Sequence, residues 1–148
     1  MIPKRMKITL LTIGKPRLPF AKDGLAFYVR RLQAFHHVTV VHCRDDVAAE
    51  KVVAAIGARW CIAADEHGTM LTSRALAQHM EEKAVHGVSE IVVVIGGPDG
   101  LMPAVRSRAD VLWSFGAMTL PHDLAMVVAT EALYRAATIT AGHPYHRD

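Results

Sequence analysis

The chain has 148 residues and a mass of 16.2 kDa, about the size of one ordinary domain. Hydrophobic residues make up 51% of it and charged residues 21%, which excludes a disordered chain. No uninterrupted apolar stretch reaches the length of about 18 residues that a transmembrane helix needs. Two cysteines, Cys43 and Cys61, are too few for a disulfide framework or a four-thiolate zinc site, so we expect a reducing, cytoplasmic location.

Charge is distributed unevenly along the chain, although the net charge at pH 7 is only +3. Residues 1–44 contain nine basic residues and one acid, Asp23, which gives +8. Residues 45–148 contain eight basic and thirteen acidic residues, which gives −5. This asymmetry predicts a face near the N-terminal end that binds a polyanion. A basic surface that is merely solvated is the alternative.

The first part of the chain predicts two pairs of a strand and a helix. Residues 6–13 are an apolar run rich in β-branched side chains and predict a buried strand. Residues 14–19 contain one glycine and two prolines, which predicts a loop. The apolar positions within 22–35 follow helical spacing. Residues 37–43 then predict a second strand, and residues 48–56 predict a short helix.

The middle of the chain contains the strongest strand pattern. Residues 60–65 predict a third strand with a turn at 66–69, and residues 73–86 predict a helix. Residues 90–95 (EIVVVI) contain five consecutive branched aliphatic side chains without polar alternation. Such a run is typical of a central parallel strand that is covered on both faces.

The last part of the chain predicts a short helix at 103–109, a fifth strand at 111–115 and a long helix at 121–140. A proline opens the long helix, where its missing N–H is tolerated. Residues 125–129 are wholly apolar, which predicts that this helix is buried in the core or against a partner. Strands that alternate with helices predict one α/β domain over 1–148, with a mostly parallel sheet flanked by helices.

A glycine-rich loop follows the strongest strand. Residues 96–100 read Gly-Gly-Pro-Asp-Gly. Ligands of open α/β sheets bind at the carboxyl ends of strands, where glycine lets the backbone come close. The spacing fits neither the dinucleotide fingerprint nor the P-loop. The loop therefore indicates either a ligand site of another kind or a tight turn.

Two further segments contain residue types that suit a ligand. Residues 114–122 (SFGAMTLPH) are mostly small and apolar, and such a loop can enclose an adenine or a thioether-like group or can simply be a packed connection. The tail at 143–148 (HPYHRD) combines imidazoles, a phenol and a guanidinium, which can take up a proton, stack on a base or bind phosphate. No third ligand at suitable spacing accompanies His143 and His146, so we expect no metal site.

Four of these features occur together and in order. They are the loop at 96–100, the Leu120-Pro121-His122 step, Glu131-Ala-Leu-Tyr-Arg135 and His143-Pro-Tyr-His-Arg147. The combination resembles the ribosomal RNA large subunit methyltransferase H family, small SPOUT-class RNA methyltransferases that use S-adenosylmethionine. The resemblance covers residues 6–148 and is strongest over 91–148. It implies a single SPOUT-type α/β domain with a C-terminal trefoil knot, and a cytoplasmic homodimer with the long helix at the interface.

The resemblance also implies a reaction and a set of site residues. The reaction is methylation of N3 of a pseudouridine in helix 69 of 23S rRNA on the assembled ribosome, without a metal or a membrane. The residues implied to bind S-adenosylmethionine are Ala64, Gly96, Phe115, Gly116, Ala117, Met118, Thr119 and Leu120. We expect RNA affinity to rest on Lys15, Arg17, Lys22, Arg30 and Arg31. The residues implied to form the RNA-facing site, within one chain or across the dimer, are His143, Tyr145, His146 and Arg147.

Methylation at N3 requires that the imide proton be removed. We expect Arg147 to contact a phosphate or a uracil oxygen, and Tyr145 to stack on the base or orient it. His143 or His146 is then the expected proton acceptor, and the resemblance does not decide between them.

Three features depart from the pattern of the family. Ala64 stands where a larger aliphatic residue is usual, which would loosen the packing around an adenine. Residues 45–57 form a shorter region that is poorer in lysine. Residues 1–5 precede the usual start, so we expect an N-terminal extension with Met6 as the initiator.

Two other functions remain open. One is a non-catalytic RNA-binding factor that acts in ribosome assembly, which the basic segment at 1–44 fits equally well. The other is a SPOUT methyltransferase with a different RNA target. The loops at Gly96 and at 115–120 discriminate against the first, because a pure binding protein has no need of a cofactor pocket.

Overall fold

Five strands and five helices alternate along the part of the chain that the computed structural model describes, residues 4–147. The strands are β1 (Lys7–Ile13), β2 (His37–Cys43), β3 (Trp60–Met70), β4 (Glu90–Ile95) and β5 (Val111–Ser114). The helices are α1 (Pro19–Leu32), α2 (Ala49–Ile56), α3 (Ser73–Val85), α4 (Pro103–Arg108) and α5 (His122–Ala141). Residues 1–3 of the expected extension and Asp148 of the tail lie outside the described residues.

The five strands form one parallel sheet in the order β2-β1-β4-β3-β5. Strand β4 lies at the centre, where Glu90 pairs with Lys7 of β1 and Ile91 pairs with Trp60 of β3. The predicted α/β class, the parallel sheet and the central position of β4 are confirmed. The trefoil knot stays a prediction.

The side chains of β4 alternate between two cores, because successive residues of a strand point to opposite faces of the sheet. Ile91 and Val93 belong to the core under α1, α3 and α5, while Val92 and Val94 belong to the core under α2 and α4. All four are fully buried. Burial of one such side chain contributes about 1.5–3 kcal/mol, so the unbroken aliphatic run stabilises both layers at once.

Helix α5 is the one helix among the described residues that is long and apolar enough to cross a membrane, judged by length and composition. It packs between α1 and α3 on one face of the sheet. Met126, Ala129 and Leu133 are buried there, at no more than 1% exposure. Packing in the core therefore accounts for part of its apolar composition, and the predicted place of this helix at a dimer interface stays a prediction.

Strand β3 continues to Met70 and is longer than predicted. The prediction of a turn at 66–69 is therefore wrong. The strand pairs with β5 up to Ala64, shifts register, and pairs again where Thr69 lies opposite Trp113. A Cβ atom on Gly68 would lie 2.5 Å from the Leu112 carbonyl, so only glycine permits this close passage. Pairing with a distant strand outweighs the weak strand propensity of this segment.

The ends of two helices also differ from the predictions. Helix α1 begins at Pro19 and ends at Leu32, about one turn earlier than expected at both ends. Pro19 occupies the first helical turn, where proline is tolerated, so the loop before α1 is shorter than its proline content indicates. Pro121 is the residue that caps α5, which therefore begins at His122.

Candidate active site

The irregular part of β3, where its register shifts, and the loops after β4 and β5 enclose a cavity of about 370 Å³. They meet at one edge of the sheet because parallel strands place their carboxyl ends together. The loop between β4 and α4 and the loop between β5 and α5 form most of the wall. The volume lies in the range of natural small-molecule sites.

The loop after β4 is closed tightly on itself. The Gly100 N–H donates to the Gly97 carbonyl oxygen at 2.9 Å, and the two residues form a short antiparallel bridge. A Cβ atom on Gly96 would lie 2.8 Å from the carbonyl carbon and oxygen of Gly100. Glycine at this position therefore lets two backbone segments meet at the wall of the cavity.

Seven of the eight residues implied to bind the cofactor border this cavity. They are Ala64, Gly96, Phe115, Gly116, Met118, Thr119 and Leu120. Ala117 is exposed in the same loop and does not border it. The Phe115 ring packs edge-on against Trp113 with centroids 4.7 Å apart, so the cavity has an aromatic wall.

An ion pair in the cavity wall was not predicted. The Asp65 carboxylate is 3% exposed and is paired with the Arg106 guanidinium, and its other oxygen accepts the His67 N–H at 2.8 Å. A carboxylate at the end of a buried apolar run, at the edge where ligands bind, is the pattern that would have found it. Among residues 4–147, no three His, Cys, Asp or Glu side chains are grouped so as to hold a metal ion.

A second pair that the sequence reasoning did not single out lies at the start of α5. His122 borders the cavity, and its Nδ1 lies 3.4 Å from an oxygen of Asp123. The other Asp123 oxygen accepts the N–H groups of Arg17 at 2.9 Å and Leu18 at 2.7 Å. Burial opposes ionisation of Asp123, but these hydrogen bonds and His122 together lower its pKa. The carboxylate therefore holds the basic loop after β1 against the start of α5.

A second cavity of about 400 Å³ lies beside that loop. Lys15 and Arg17 border it, together with His42 at the end of β2. Arg17 also pairs with Asp45 at 3.0 Å. Burial lowers the pKa of His42, and the charges of Lys15 and His122 lower it further. Of the other predicted RNA-binding residues, Lys22, Arg30 and Arg31 are exposed on α1.

The tail folds back onto α5. The Tyr145 hydroxyl donates to Glu131 at 3.0 Å, and its ring lies 4.6 Å from that of Tyr134. The Arg135 guanidinium lies over the Tyr145 ring at 4.7 Å and is 3.3 Å from Nδ1 of His146. Burial raises the pKa of Tyr145, and the contact with Glu131 raises it further.

The predicted tail residues are not brought to the cavity within one chain. Glu131 follows Ala125, the last residue of α5 that borders the cavity, by six residues, which is about 9 Å along a helix. Within the described part of the tail, 143–147, no residue borders the cavity. His143 packs against Phe35 with ring centroids 6.2 Å apart, and Arg147 is exposed. The cavity and the tail are therefore separate surfaces of one chain.

The fold and the cavity define a single-domain α/β protein with a small-molecule site at the carboxyl edge of a parallel sheet. Residues 6–146 match the family model described as "Predicted SPOUT methyltransferase". The chain belongs to this family of SPOUT methyltransferases.

Named relatives extend over nearly the whole chain. "Ribosomal RNA large subunit methyltransferase H" of Deinococcus radiodurans is 43% identical over 145 residues, which cover 96% of this chain and 99% of that protein. The protein of the same name from Streptococcus sanguinis is 38% identical over an alignment of 159 positions, which covers 96% of this chain and all of that protein.

Solved structures share the fold at low sequence identity. The SpoU methyltransferase AviRb from Streptomyces viridochromogenes, solved in complex with AdoMet, is similar with a TM-score of 0.51 at 17% identity, covering 96% of this chain and 61% of that one. A probable methylase family protein from Haemophilus influenzae gives a TM-score of 0.55 at 14% identity, covering 97% and 70%.

Proposed function

We propose that this protein methylates N3 of a pseudouridine in helix 69 of 23S rRNA, on the assembled ribosome, with S-adenosylmethionine as methyl donor. Membership of the SPOUT family and the full-length relatives named as rRNA methyltransferases support the rRNA methyltransferase class. The observation that carries the proposal is the cavity at the carboxyl edge, bordered by seven of the eight residues that the resemblance implies. A ribosomal substrate places the reaction in the cytoplasm.

The residues of the cavity fit this cofactor. Trp113, Phe115 and Leu120 offer an apolar and aromatic wall for an adenine ring, and the backbone at Gly96 can approach the ligand closely. Ala64 leaves more room there than a larger aliphatic side chain would. When bound, S-adenosylmethionine supplies a methyl group that is already activated on a sulfonium sulfur. The protein has to align that group with the acceptor, exclude water and remove the N3 proton.

The basic residues at the N-terminal side are the proposed RNA contacts. Lys15, Lys22, Arg30 and Arg31 are exposed, and Arg17 is exposed beside its partner Asp45. Each phosphate contact releases condensed counterions, so affinity falls with salt. The double variant Arg30→Ala with Arg31→Ala is expected to lower ribosome affinity and to flatten the salt slope by about one to two units. An unchanged slope would remove this face from the RNA contact.

We further propose that the active protein is a homodimer in which one copy supplies the tail for the cavity of the other. The tail of one chain does not border its own cavity, and a second copy provides the missing approach. Leu18, Phe20 and Phe27, at or next to α1, are 46–53% exposed, and burial of such side chains favours association. In this arrangement Arg147 contacts a phosphate or a uracil oxygen and Tyr145 orients the base. The tail also brings the imidazoles of His143 and His146 to the RNA.

Methyl transfer to ribosomes that lack the modification tests the function. Labelled S-adenosylmethionine is the donor, and the product nucleoside is mapped by mass spectrometry. N3-methylpseudouridine in helix 69 would support the whole proposal, while methylation elsewhere would retain the enzyme class and overturn the target. Ribosome binding without transfer would favour the assembly-factor alternative.

Mixing two impaired variants tests the shared site. One variant, Gly96→Ala, is assayed at a concentration of S-adenosylmethionine too low to fill its weakened cavity, and the other, Arg147→Ala, has a damaged tail. Mixed dimers contain one cavity and one tail that are intact, so about a quarter of the wild-type activity should return. Sedimentation should give a dimer for each variant. A mixture that stays inactive although mixed dimers form would refute the shared site.

A further inference from the structure

His122 contains the buried polar side-chain atom that lacks a hydrogen-bond partner among the residues the structure describes. The side chain is 9% exposed, and the unpartnered atom is its Nε2. A buried polar atom without a partner costs about 1–3 kcal/mol. The ring borders the cavity at the carboxyl edge of the sheet. The ring therefore carries an unsatisfied nitrogen at the wall of the cavity.

The other nitrogen of the same ring faces a fixed carboxylate. Nδ1 lies 3.4 Å from Asp123, whose side chain is 10% exposed. Two backbone N–H groups, of Arg17 and Leu18, hold the second oxygen of that carboxylate. Although burial acts in the opposite direction, these bonds keep the pKa of Asp123 low, so it carries its charge at neutral pH. A carboxylate beside Nδ1 favours the tautomer that leaves the lone pair on Nε2.

The ring also lies between the cofactor cavity and the basic loop. A Cβ atom on Gly14 would come within 3.5 Å of the His122 Cε1 atom, so the ring packs against the residue that begins this loop. Lys15 and Arg17 follow Gly14 and border the second cavity. Under the proposed function, an RNA base that meets a cofactor in the first cavity would approach across this junction.

We propose that His122 accepts the N3 proton of the target base, and that Asp123 orients the ring and balances its charge. The inference rests on the proposed function and assigns the proton to a residue of the chain that holds the cofactor. The histidines of the tail are then left to contact RNA. In the transfer the N3 lone pair forms the new N–C bond, the S–C bond breaks with its electron pair on sulfur, and the N3 proton moves to Nε2. The positive charge lost from sulfur reappears on the imidazolium beside Asp123, and water later takes the proton.

Two variants of the full-length protein test the assignment. His122→Ala removes the ring, and His122→Asn keeps a donor for Asp123 while supplying no base. With saturating S-adenosylmethionine and ribosomes, single-turnover transfer should fall by about 100-fold or more in both. Calorimetric affinity for S-adenosylmethionine should stay close to that of the wild type. Added imidazole should restore part of the rate of His122→Ala, which a purely structural role would not produce.

The matched control is His86→Ala, since His86 is an exposed histidine at the end of α3 and should leave the rate unchanged. His143→Ala and His146→Ala should slow transfer less than His122→Ala does. A readout without turnover is the ¹⁵N spectrum of His122 in the free protein, which should have the proton on Nδ1 and a lone pair on Nε2.

Several results would overturn the assignment. One is a ¹⁵N spectrum that shows the proton on Nε2. Another is methyl transfer by His122→Ala at the wild-type rate. A third is a loss of activity in His122→Ala that weaker binding of S-adenosylmethionine explains by itself. A wild-type protein that places no methyl group on N3 overturns the proposed function, and this assignment with it. Wild-type transfer together with an undiminished His122→Ala variant overturns the assignment alone.

Discussion

Gly96→Ala introduces a methyl group at the tightest backbone contact in the wall of the cavity. The new Cβ atom would lie 2.8 Å from the carbonyl atoms of Gly100 and 3.0 Å from the Leu101 nitrogen, whereas ordinary contact begins at 3.4 Å. The loop must therefore move by about 0.6 Å, and overpacking of this kind costs about 1–3 kcal/mol. If the strain opposes the cofactor-bound form, affinity for S-adenosylmethionine falls by about 5- to 150-fold.

Calorimetric titration with S-adenosylmethionine and urea unfolding should be measured together on the same samples. Strain that is present in the free protein lowers its free energy of unfolding, and strain that arises only when the cofactor binds lowers the affinity. The sum of the two losses should be about 1–3 kcal/mol. Gly97→Ala is the matched control, because a Cβ atom there would meet Ile13 at an ordinary 3.5 Å.

The result that would refute the reasoning is a Gly96→Ala protein with wild-type affinity and wild-type stability. An equal loss in Gly97→Ala would also refute it, since the effect would then come from any side chain in this loop. Either outcome would separate the close backbone approach at Gly96 from the binding of the cofactor.

Three further substitutions test single contacts by urea unfolding. Burial lowers the pKa of His36 to about 4 in the folded protein, whereas the same histidine has a pKa of about 6.5 in the unfolded chain. The unfolded state therefore takes up a proton that the folded state does not, and stability should fall by about 3 kcal/mol as the pH drops from 6.5 towards 4. His36→Gln should abolish that slope, and a slope that persists would assign it to other groups. Glu131→Gln removes the charge that pairs with Arg135 at 2.7 Å beside Tyr145, so we expect a loss of about 1 kcal/mol at neutral pH. Thr72→Ala removes the side-chain cap of α3, whose hydroxyl oxygen accepts a backbone N–H at 3.0 Å, and should also lose about 1 kcal/mol. If the urea midpoint shifts for Glu131→Gln but not for Thr72→Ala, the Thr72 cap contributes nothing to the stability of α3.

The sequence predicted the elements whose patterns are local and strong. The aliphatic run of β4 alternates between two buried faces, so its central position followed from its composition. The extension of β3 did not follow, because residues 66–69 gain their strand geometry from pairing with β5. The predicted start of α1 lay three residues too late. Pro19 indicates a loop by composition, but proline is equally suited to a first helical turn.

The residues of the candidate site also fall into those that the sequence identified and those that it did not. Gly96 and the loop after β5 were identified by their small residues and their place after strands. His122 was identified only as part of a motif, because its burial and its contact with Gly14 depend on the packing of distant parts of the chain. The pair of Asp65 and Arg106 was overlooked for the same reason, since 41 positions separate two residues that the fold brings together.

The sequence by itself determined the α/β class, the central strand, the loops at the carboxyl edge and the family to which the chain belongs. These properties depend on hydrophobic periodicity and on residues that are close together along the chain. Only the tertiary structure decided that the tail packs on Glu131 and Arg135, which begin about 9 Å along α5 from the cavity. It also decided that the His122 ring, with its buried Nε2, lies between the cavity and the basic loop. Both outcomes depend on how distant segments pack against one another, and local propensity carries no information about that packing.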